Sequence, residues 1–510
     1  MSEISTIHEL LTVGAAEAVA ITAPGRTPLT YQGLRDHVQR TVATLNSLGI
    51  GRNDRVAIVL PNGPQMATAF VAIGAGATTA PLNPAYRKPE FEFYLTDLGA
   101  KALLVEQGST SPALEVAAEL KIPVLEISAP PDAPAGLFEL KPAQGSQLGK
   151  AAAKGGFAEP EDIALVLHTS GTTSRPKIVP LMQRNVCASA RNVSANLALT
   201  SSDRCLNIMP LFHIHGLIAA VLSSLRVGAS VCCTPGFDAL QFFSWLAEAK
   251  PTWYTAVPTM HQTILTRAGR NQEVIANTHL RFIRSSSSSL PTPVMEELER
   301  TFNAPVIEAY GMTEAAHQMA SNPLPPKPRK PGTVGVAAGP EVAIMDQQGN
   351  LLPAGAIGEI VIRGINVTPG YENNPKANAE NFTNGWFRTG DQGVLDAEGY
   401  LTINGRIKEI INRGGEKISP REVDDILMEH PAVRQVVTFA MPHDKLGEDV
   451  AAAVVLRDGL TVTERELRTF AATRLADFKV PRKILFLEEI PKGATGKLQR
   501  IGLAQKLGLG

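Results

Sequence analysis

Short β-branched runs alternate with helical stretches along most of this chain, and that alternation narrows the fold more than any other feature. Leu34, Val38, Val42 and Leu45 recur at helical spacing behind Thr30, which suits an N-cap, and the pattern stops at Gly49. Arg55 to Leu60 follows as a strand-like run closed by Pro61, and Ala102 to Val105 is another. Strand and helix in turn point to α/β architecture. Met66 to Leu82 is uncharged and nearly long enough to span a bilayer. Its Thr68, Thr78, Thr79, Gly74 and Gly76, with Pro64 before it and Pro81 near its end, read instead as a buried helix feeding a short strand.

Further along, Ser128 to Ala153 is rich in Pro, Ala and Gly and reads as a surface connection. Asn322 to Gly335 holds five prolines with Lys327, Arg329 and Lys330, charges expected to be solvated rather than to contact nucleic acid. From Glu341 the texture becomes short strands separated by Gly turns: Val342 to Met345, Glu359 to Arg363, Gly393 to Leu395 and Tyr400 to Ile403. After Gly405 helix and strand alternate again, with Pro420 to His430 helical and Val450 to Leu456 a strand. The expected fold class is α/β, with a large N-terminal domain over residues 1–405 built of α/β subdomains plus a small β-barrel-like unit. Residues 406–510 would form a small α+β C-terminal domain.

Composition excludes several functions. The 510 residues carry 48 basic and 49 acidic side chains, a formal charge of −1, which argues against a dedicated binder of nucleic acid or anionic membrane. With 44% hydrophobic and 19% charged residues the chain can bury several cores and is far from the disordered class. Cys187, Cys205, Cys232 and Cys233 are too few for a disulfide scaffold and lack the C-x-x-C spacing of a zinc site. No basic, small-residue-terminated leader opens the sequence and Leu-Gly-Leu-Gly at its end is not a peroxisomal address, so a cytoplasmic protein is expected, with no obligate protein partner.

The strongest chemical signal is the run from Leu165 to Lys177, a strand followed by Thr169, Ser170, Gly171, Thr172, Thr173 and Ser174, then Arg175-Pro176-Lys177. Small residues let backbone N–H groups approach an anion, hydroxyls donate further hydrogen bonds and Lys177 adds a point charge, so the loop can surround phosphate. It is not a Walker loop, because Pro176 precedes the lysine and Ile178 follows it. Four more motifs follow: Tyr310-Gly311-Met312-Thr313-Glu314, Arg388-Thr389-Gly390-Asp391, Gly405-Arg406-Ile407-Lys408-Glu409, and Pro491 to Lys497 with Gly493 and Gly496.

In that order and spacing these motifs resemble the adenylate-forming acyl-CoA synthetases, the group of coumarate-CoA ligases, luciferases and peptide-synthetase adenylation domains. The likeness runs from about Leu29 to Arg500. It implies that a carboxylate attacks the α-phosphate of ATP to give an acyl-adenylate and pyrophosphate, after which the thiolate of coenzyme A displaces AMP. Two anions must meet in the first step, so cations and donors are needed where charge accumulates. By resemblance Thr169 to Lys177 hold the β- and γ-phosphates, Thr313 the α-phosphate, and Glu314 a magnesium ion (Mg2+). Asp391 and Arg406 take the ribose, while Ser287, Ser288, Glu308, Ala309, Tyr310 and Gly311 complete the nucleotide site. Lys497 neutralises the reacting oxygens, Lys408 is the hinge of a mobile C-terminal domain, and Gly414 and Gly415 admit the pantetheine arm.

The acid pocket departs from ligases of aromatic or fatty acids. His213 stands where a histidine is common in the family, but His215, His317 and the serine run Ser285 to Ser289 make this pocket polar. Imidazoles and hydroxyls suit a short substrate with a second negative charge, which an apolar wall would leave unpaired. His213, His215, His317 and Ser289, ahead of Ser288, are the expected substrate contacts. The same residues are similar to those of the oxalate-using branch, so oxalate is the expected acid, ahead of malonate, a short or medium fatty acid or a coumarate-like acid. An amino-acid adenylation domain would need an acid near His213 for the α-amino group, and a non-catalytic nucleotide binder need not keep Glu314, Asp391, Arg406 and Lys497 together. Lys497→Ala is expected to slow acid-dependent pyrophosphate exchange about 100-fold or more, the scale of one lost transition-state donor; near-normal exchange would remove that role.

Overall fold

The computed structural model describes residues 4–130, 132–146, 148–169, 176–491 and 499–509. Thr30 caps the helix Tyr31–Ser47, its hydroxyl accepting from Gly33 N at 3.1 Å. Leu34, Val38, Val42 and Leu45 form its buried stripe. Proline sits at the first turn of the next helix, Pro64–Gly74, where its missing N–H costs nothing. That helix is buried from Met66 to Gly74 and feeds the strand Thr78–Pro81, as its composition implied. Among the described residues no helix is long and apolar enough to cross a membrane.

Four sheets form among the described residues. The first has seven strands. Arg55–Val59, Thr78–Pro81, Ala102–Glu106 and Val124–Ser128 run parallel, and Ile163–Thr169 joins them to end in an antiparallel pair with Lys177–Met182. Thr169 lies opposite Lys177 in that pair, so both ends of the expected phosphate loop are pinned. The second sheet has nine strands, with Arg204–Asn207, Ser230–Cys233, Trp253–Ala256, Phe282–Ser285 and Val306–Met312 parallel in its middle. Their near-continuous burial is what a parallel sheet covered on both faces requires. His317–Ser321 then folds back antiparallel on Val306–Met312.

Glu341–Met345, Gly358–Arg363, Phe382–Thr383, Trp386–Leu395 and Leu401–Arg406 make an antiparallel sheet of five strands. The C-terminal unit is a fourth sheet, of Ile411–Arg413, Glu416–Ile418, Val433–His443, Gly447–Leu456 and Lys483–Phe486, with the helices Pro420–Met428 and Glu464–Ala472. The whole is a mixed α/β protein with a large N-terminal and a small C-terminal part.

Two local expectations need correction. The stretch from Ser128 to Ala153 is not bare connection: Glu139–Pro142 adds an edge strand to Val124–Ser128, and Ala135 and Phe138 are buried. Its alternation is too short to stand out among prolines and glycines. The charges near Pro328 are not simply solvated either. Arg329 is bonded to Glu299, and Lys330 Nζ lies 2.6 Å from Asp396 and 3.1 Å from Glu398. Those partners come from distant segments, which a charge run read by itself cannot reveal.

Both parts share one apolar cluster that runs from Leu206, Tyr254 and Leu298 to Ile418, Leu427 and Val454. Polar contacts flank it. Arg421 Nη1 donates to Ile403 O at 3.0 Å, and Arg500 Nη2 lies 2.6 Å from Asp424. Glu308, at the core of the nine-stranded sheet, accepts from Leu290 N at 3.0 Å and feels the charge of Arg421. Burial pushes its carboxyl up to about 7, with Arg421 pulling the other way. The folded protein thus keeps a proton that an unfolded carboxyl loses near 4.5, so that stabilising contribution is complete at low pH and is lost as pH rises towards 7. Glu308→Gln, which cannot ionise, is expected to melt a few degrees above the parent at about pH 8 and level with it at about pH 5. An offset that is the same at both pH values would contradict this linkage.

Candidate active site

The carboxyl ends of parallel strands are where open α/β sheets bind ligands, and the sequence motifs gather there. Val306–Met312 ends in a short 3₁₀ turn, Thr313–Ala315, and the chain then folds back through Ala316 and His317. Both have positive φ, 48° and 106°, a region that disfavours side chains. Gly311 makes the fold-back possible. A Cβ built there would lie 1.8 Å from the His317 carbonyl oxygen and 3.1 Å from its Nδ1.

On one side of this turn are the residues expected around nucleotide. Tyr310 donates its hydroxyl to Asp391 Oδ2, and Arg406 Nε is 2.9 Å from Asp391 Oδ1. Asp391 and Arg406 face each other across paired strands, so the ladder itself sets the ion pair. Glu314 is buried, and its Oε1 accepts from the Tyr371 hydroxyl at 2.7 Å. Burial holds its carboxyl above the ordinary range, opposed by the Tyr371 bond and by Arg406 and Lys177. Lys177 Nζ lies over the Tyr371 ring, 4.4 Å from its centre. Lys177, Thr313, Glu314, Tyr310, Asp391 and Arg406 are thereby drawn into one neighbourhood, with Tyr371 as a link that no local sequence signal disclosed.

On the other side lies a polar cluster. The His215 and His317 rings stand 5.1 Å apart, edge to face. His215 begins a buried π-helix, His215–Leu222, an irregularity often found at functional sites. Its Nδ1 is 3.0 Å from Ser287 Oγ and its Nε2 2.6 Å from Thr255 Oγ1. Ser287 has φ +74°, Ser286 donates to Ala309 O at 2.9 Å, and Ser288 donates to Ser287 O at 2.9 Å. Ser289 Oγ is buried without a hydrogen bond among the described residues, which leaves it available to a bound polar group. His213 is half-buried beside Phe212, ring centres 4.6 Å apart. Behind His215 sits Arg284, fully buried in the strand Phe282–Ser285 and not anticipated from the sequence. Its one signal was a charged residue inside an apolar strand.

Other expected residues sit elsewhere. Glu308 faces the C-terminal unit and Leu290 N. Lys408 is exposed in the 3₁₀ turn Ile407–Glu409 between the two parts. Gly414 and Gly415, with φ +60° and +103°, form a hairpin tip tied by Gly414 N to Leu446 O at 2.9 Å, within the C-terminal unit. Ser170, Gly171, Thr172, Thr173 and Lys497 lie outside the described residues.

Known proteins resemble this chain over most of its length. A family model described as AMP-binding enzyme matches residues 13–372, and one described as AMP-binding enzyme C-terminal domain matches residues 422–497. The chain is 47% identical, over 95% of each sequence, to an oxalate–CoA ligase of Arabidopsis thaliana. To one of Saccharomyces cerevisiae it is 43% identical, over 97% of this chain and 95% of the relative. ATP-bound MatB from Rhodopseudomonas palustris superposes with a TM-score of 0.86 at 28% identity, over 98% of both chains. The chain belongs to the AMP-binding enzyme family, and its activity is that of an AMP-forming acid–CoA ligase.

Gly311→Ala tests the fold-back. The added methyl must displace backbone rather than a pliable side chain, so His317 should shift and KM for the acid should rise at least about tenfold, the scale of one misplaced contact. Acid-dependent AMP release measures it; unchanged KM would show that the turn tolerates the methyl.

Proposed function

We propose that the protein joins oxalate to coenzyme A with ATP, releasing AMP and pyrophosphate. The observation that carries this reading is the polar cluster of the buried His215 and His317 with half-buried Ser287, together with the unpartnered Ser289 hydroxyl close by in the chain. A small dianion loses its hydration on entering such a site and needs donors in return. An apolar acid would leave the Ser289 hydroxyl without a partner, which disfavours it. The activity of the two oxalate-using relatives supports the same substrate.

In the first step one carboxylate oxygen of oxalate forms a bond to the α-phosphorus, and the bond to the β-phosphate oxygen breaks. Lys177, Thr313 and Lys497 stabilise the added negative charge, and Asp391 with Arg406 orients the ribose. In the second step the thiolate of coenzyme A attacks the acyl carbon and AMP leaves. Lys408 is the hinge about which the residues 406–510 turn between the steps, exchanging Lys497 for Gly414 and Gly415. Exposure of Lys408 in a short turn is compatible with rotation there.

Glu314 would hold Mg2+. A single buried carboxylate fits an ion that binds one or two protein carboxylates and completes its shell with phosphate oxygens and water. The ion supplies neutralisation of the polyphosphate. Tyr371 orients the Glu314 carboxylate by occupying Oε1.

Assays of ATP- and CoA-dependent AMP release over a panel of small acids should give oxalate the highest kcat/KM. His317→Ala should reduce oxalate use at least about 100-fold more than acetate use, because the second carboxylate loses a donor. If both acids suffer alike, His317 is a structural residue, and if another acid leads the panel, oxalate is wrong.

A further inference from the structure

Arg284 is among the largest fully buried side chains of the protein, yet no acidic side chain pairs with it among the described residues. None of its contacts is acidic. Nη1 is 3.3 Å from His215 Nε2 and 3.5 Å from Thr255 Oγ1, Nη2 is 3.3 Å from Gln318 Oε1, and Nε has no hydrogen-bond partner. Other buried charges here are matched: Asp391 by Arg406, Asp424 by Arg500, Asp203 by Arg281. A guanidinium stays charged in proteins, and an unpaired buried charge is costly. Burial pushes Arg284 down to about 9, with only the nearby Cys205 opposing. The fold tolerates this cost at a strand end that opens on the two histidines.

We infer that Arg284 is a specificity-determining and positioning residue whose missing counter-charge is the second carboxylate of the substrate, sensed through His215. The inference rests on the proposed use of a small dianionic acid at this site. His215 Nε2 has the Arg284 guanidinium and the Thr255 hydroxyl as donors. With Nε2 accepting, the ring proton is on Nδ1, which faces Ser287 Oγ and offers a donor on that side. Arg284 so fixes the tautomer that donates to an anion, and its charge balances the anion once bound. A monocarboxylate brings no second charge and leaves the guanidinium uncompensated, so the same residue favours dianions and disfavours simple acids.

Arg284→Met and Arg284→Lys test this in the full-length enzyme. Arg284→Met removes a buried charge that has no acidic partner among the described residues, so its thermal midpoint should equal or exceed the parent's. Its KM for oxalate should rise about 100-fold or more, and the ratio of kcat/KM for oxalate to that for acetate should fall by a similar factor. Added oxalate, with ATP present, should raise the melting temperature of the parent and not of Arg284→Met. Arg284→Lys keeps the charge without the fork and should recover part of the preference for oxalate over acetate. Equal losses for oxalate and acetate, or a retained oxalate KM in Arg284→Met, would overturn the inference. Should the parent prefer malonate or another dianion and Arg284→Met lose that preference, the reading of oxalate fails and the role of Arg284 stands. A parent that prefers monocarboxylates would sink both.

Discussion

The close approach of Gly311 to the His317 carbonyl is the constraint on which the rest of the site depends. It lets Val306–Met312 fold back on His317–Ser321, with two residues of positive φ at the corner. Such strain persists only where surrounding structure holds it, and here strand pairing on one side and full burial on the other do so. One strand end therefore carries residues of both the proposed nucleotide site and the proposed acid site. Tyr310, Thr313 and Glu314 belong to the proposed nucleotide site, and His317 stands a turn later among the residues proposed to meet the acid. A shift of this corner would displace both.

Charge is distributed unequally across that corner. On the nucleotide side each buried carboxylate has a donor, Asp391 from Tyr310 and Arg406, Glu314 from Tyr371. On the proposed acid side a buried cation has no acidic partner among the described residues. A ligase of this type must bring two anions together, and a pocket that holds positive charge in a low dielectric strengthens every contact with an incoming anion. The serine hydroxyls supply hydrogen bonds without charge.

Much of the local structure was legible in the chain. The Thr30 cap, the buried stripe of Tyr31–Ser47, the helix-to-strand passage across Met66 to Leu82 and the β-rich texture after Glu341 all follow from spacing, capping and turn chemistry, which act over a few residues. Glu139–Pro142 escaped notice because an edge strand needs its neighbour to be recognised, and Arg329 and Lys330 read as solvated because Glu299 and Asp396 are remote in sequence.

By itself the sequence determined which chemical groups the protein owns and the order in which they occur: the hydroxyl-rich loop ending at Lys177, the Tyr310 to Glu314 run, Asp391, Arg406, His215 and His317. Only the tertiary structure decided which of them meet. Tyr371 reaches Glu314 across 57 positions and Arg284 reaches His215 across 69, because sheet order, not sequence distance, sets what lies beside what. The absence of an acidic partner for Arg284 among the described residues belongs to the same class of fact, since a missing neighbour exists only after every strand has found its place.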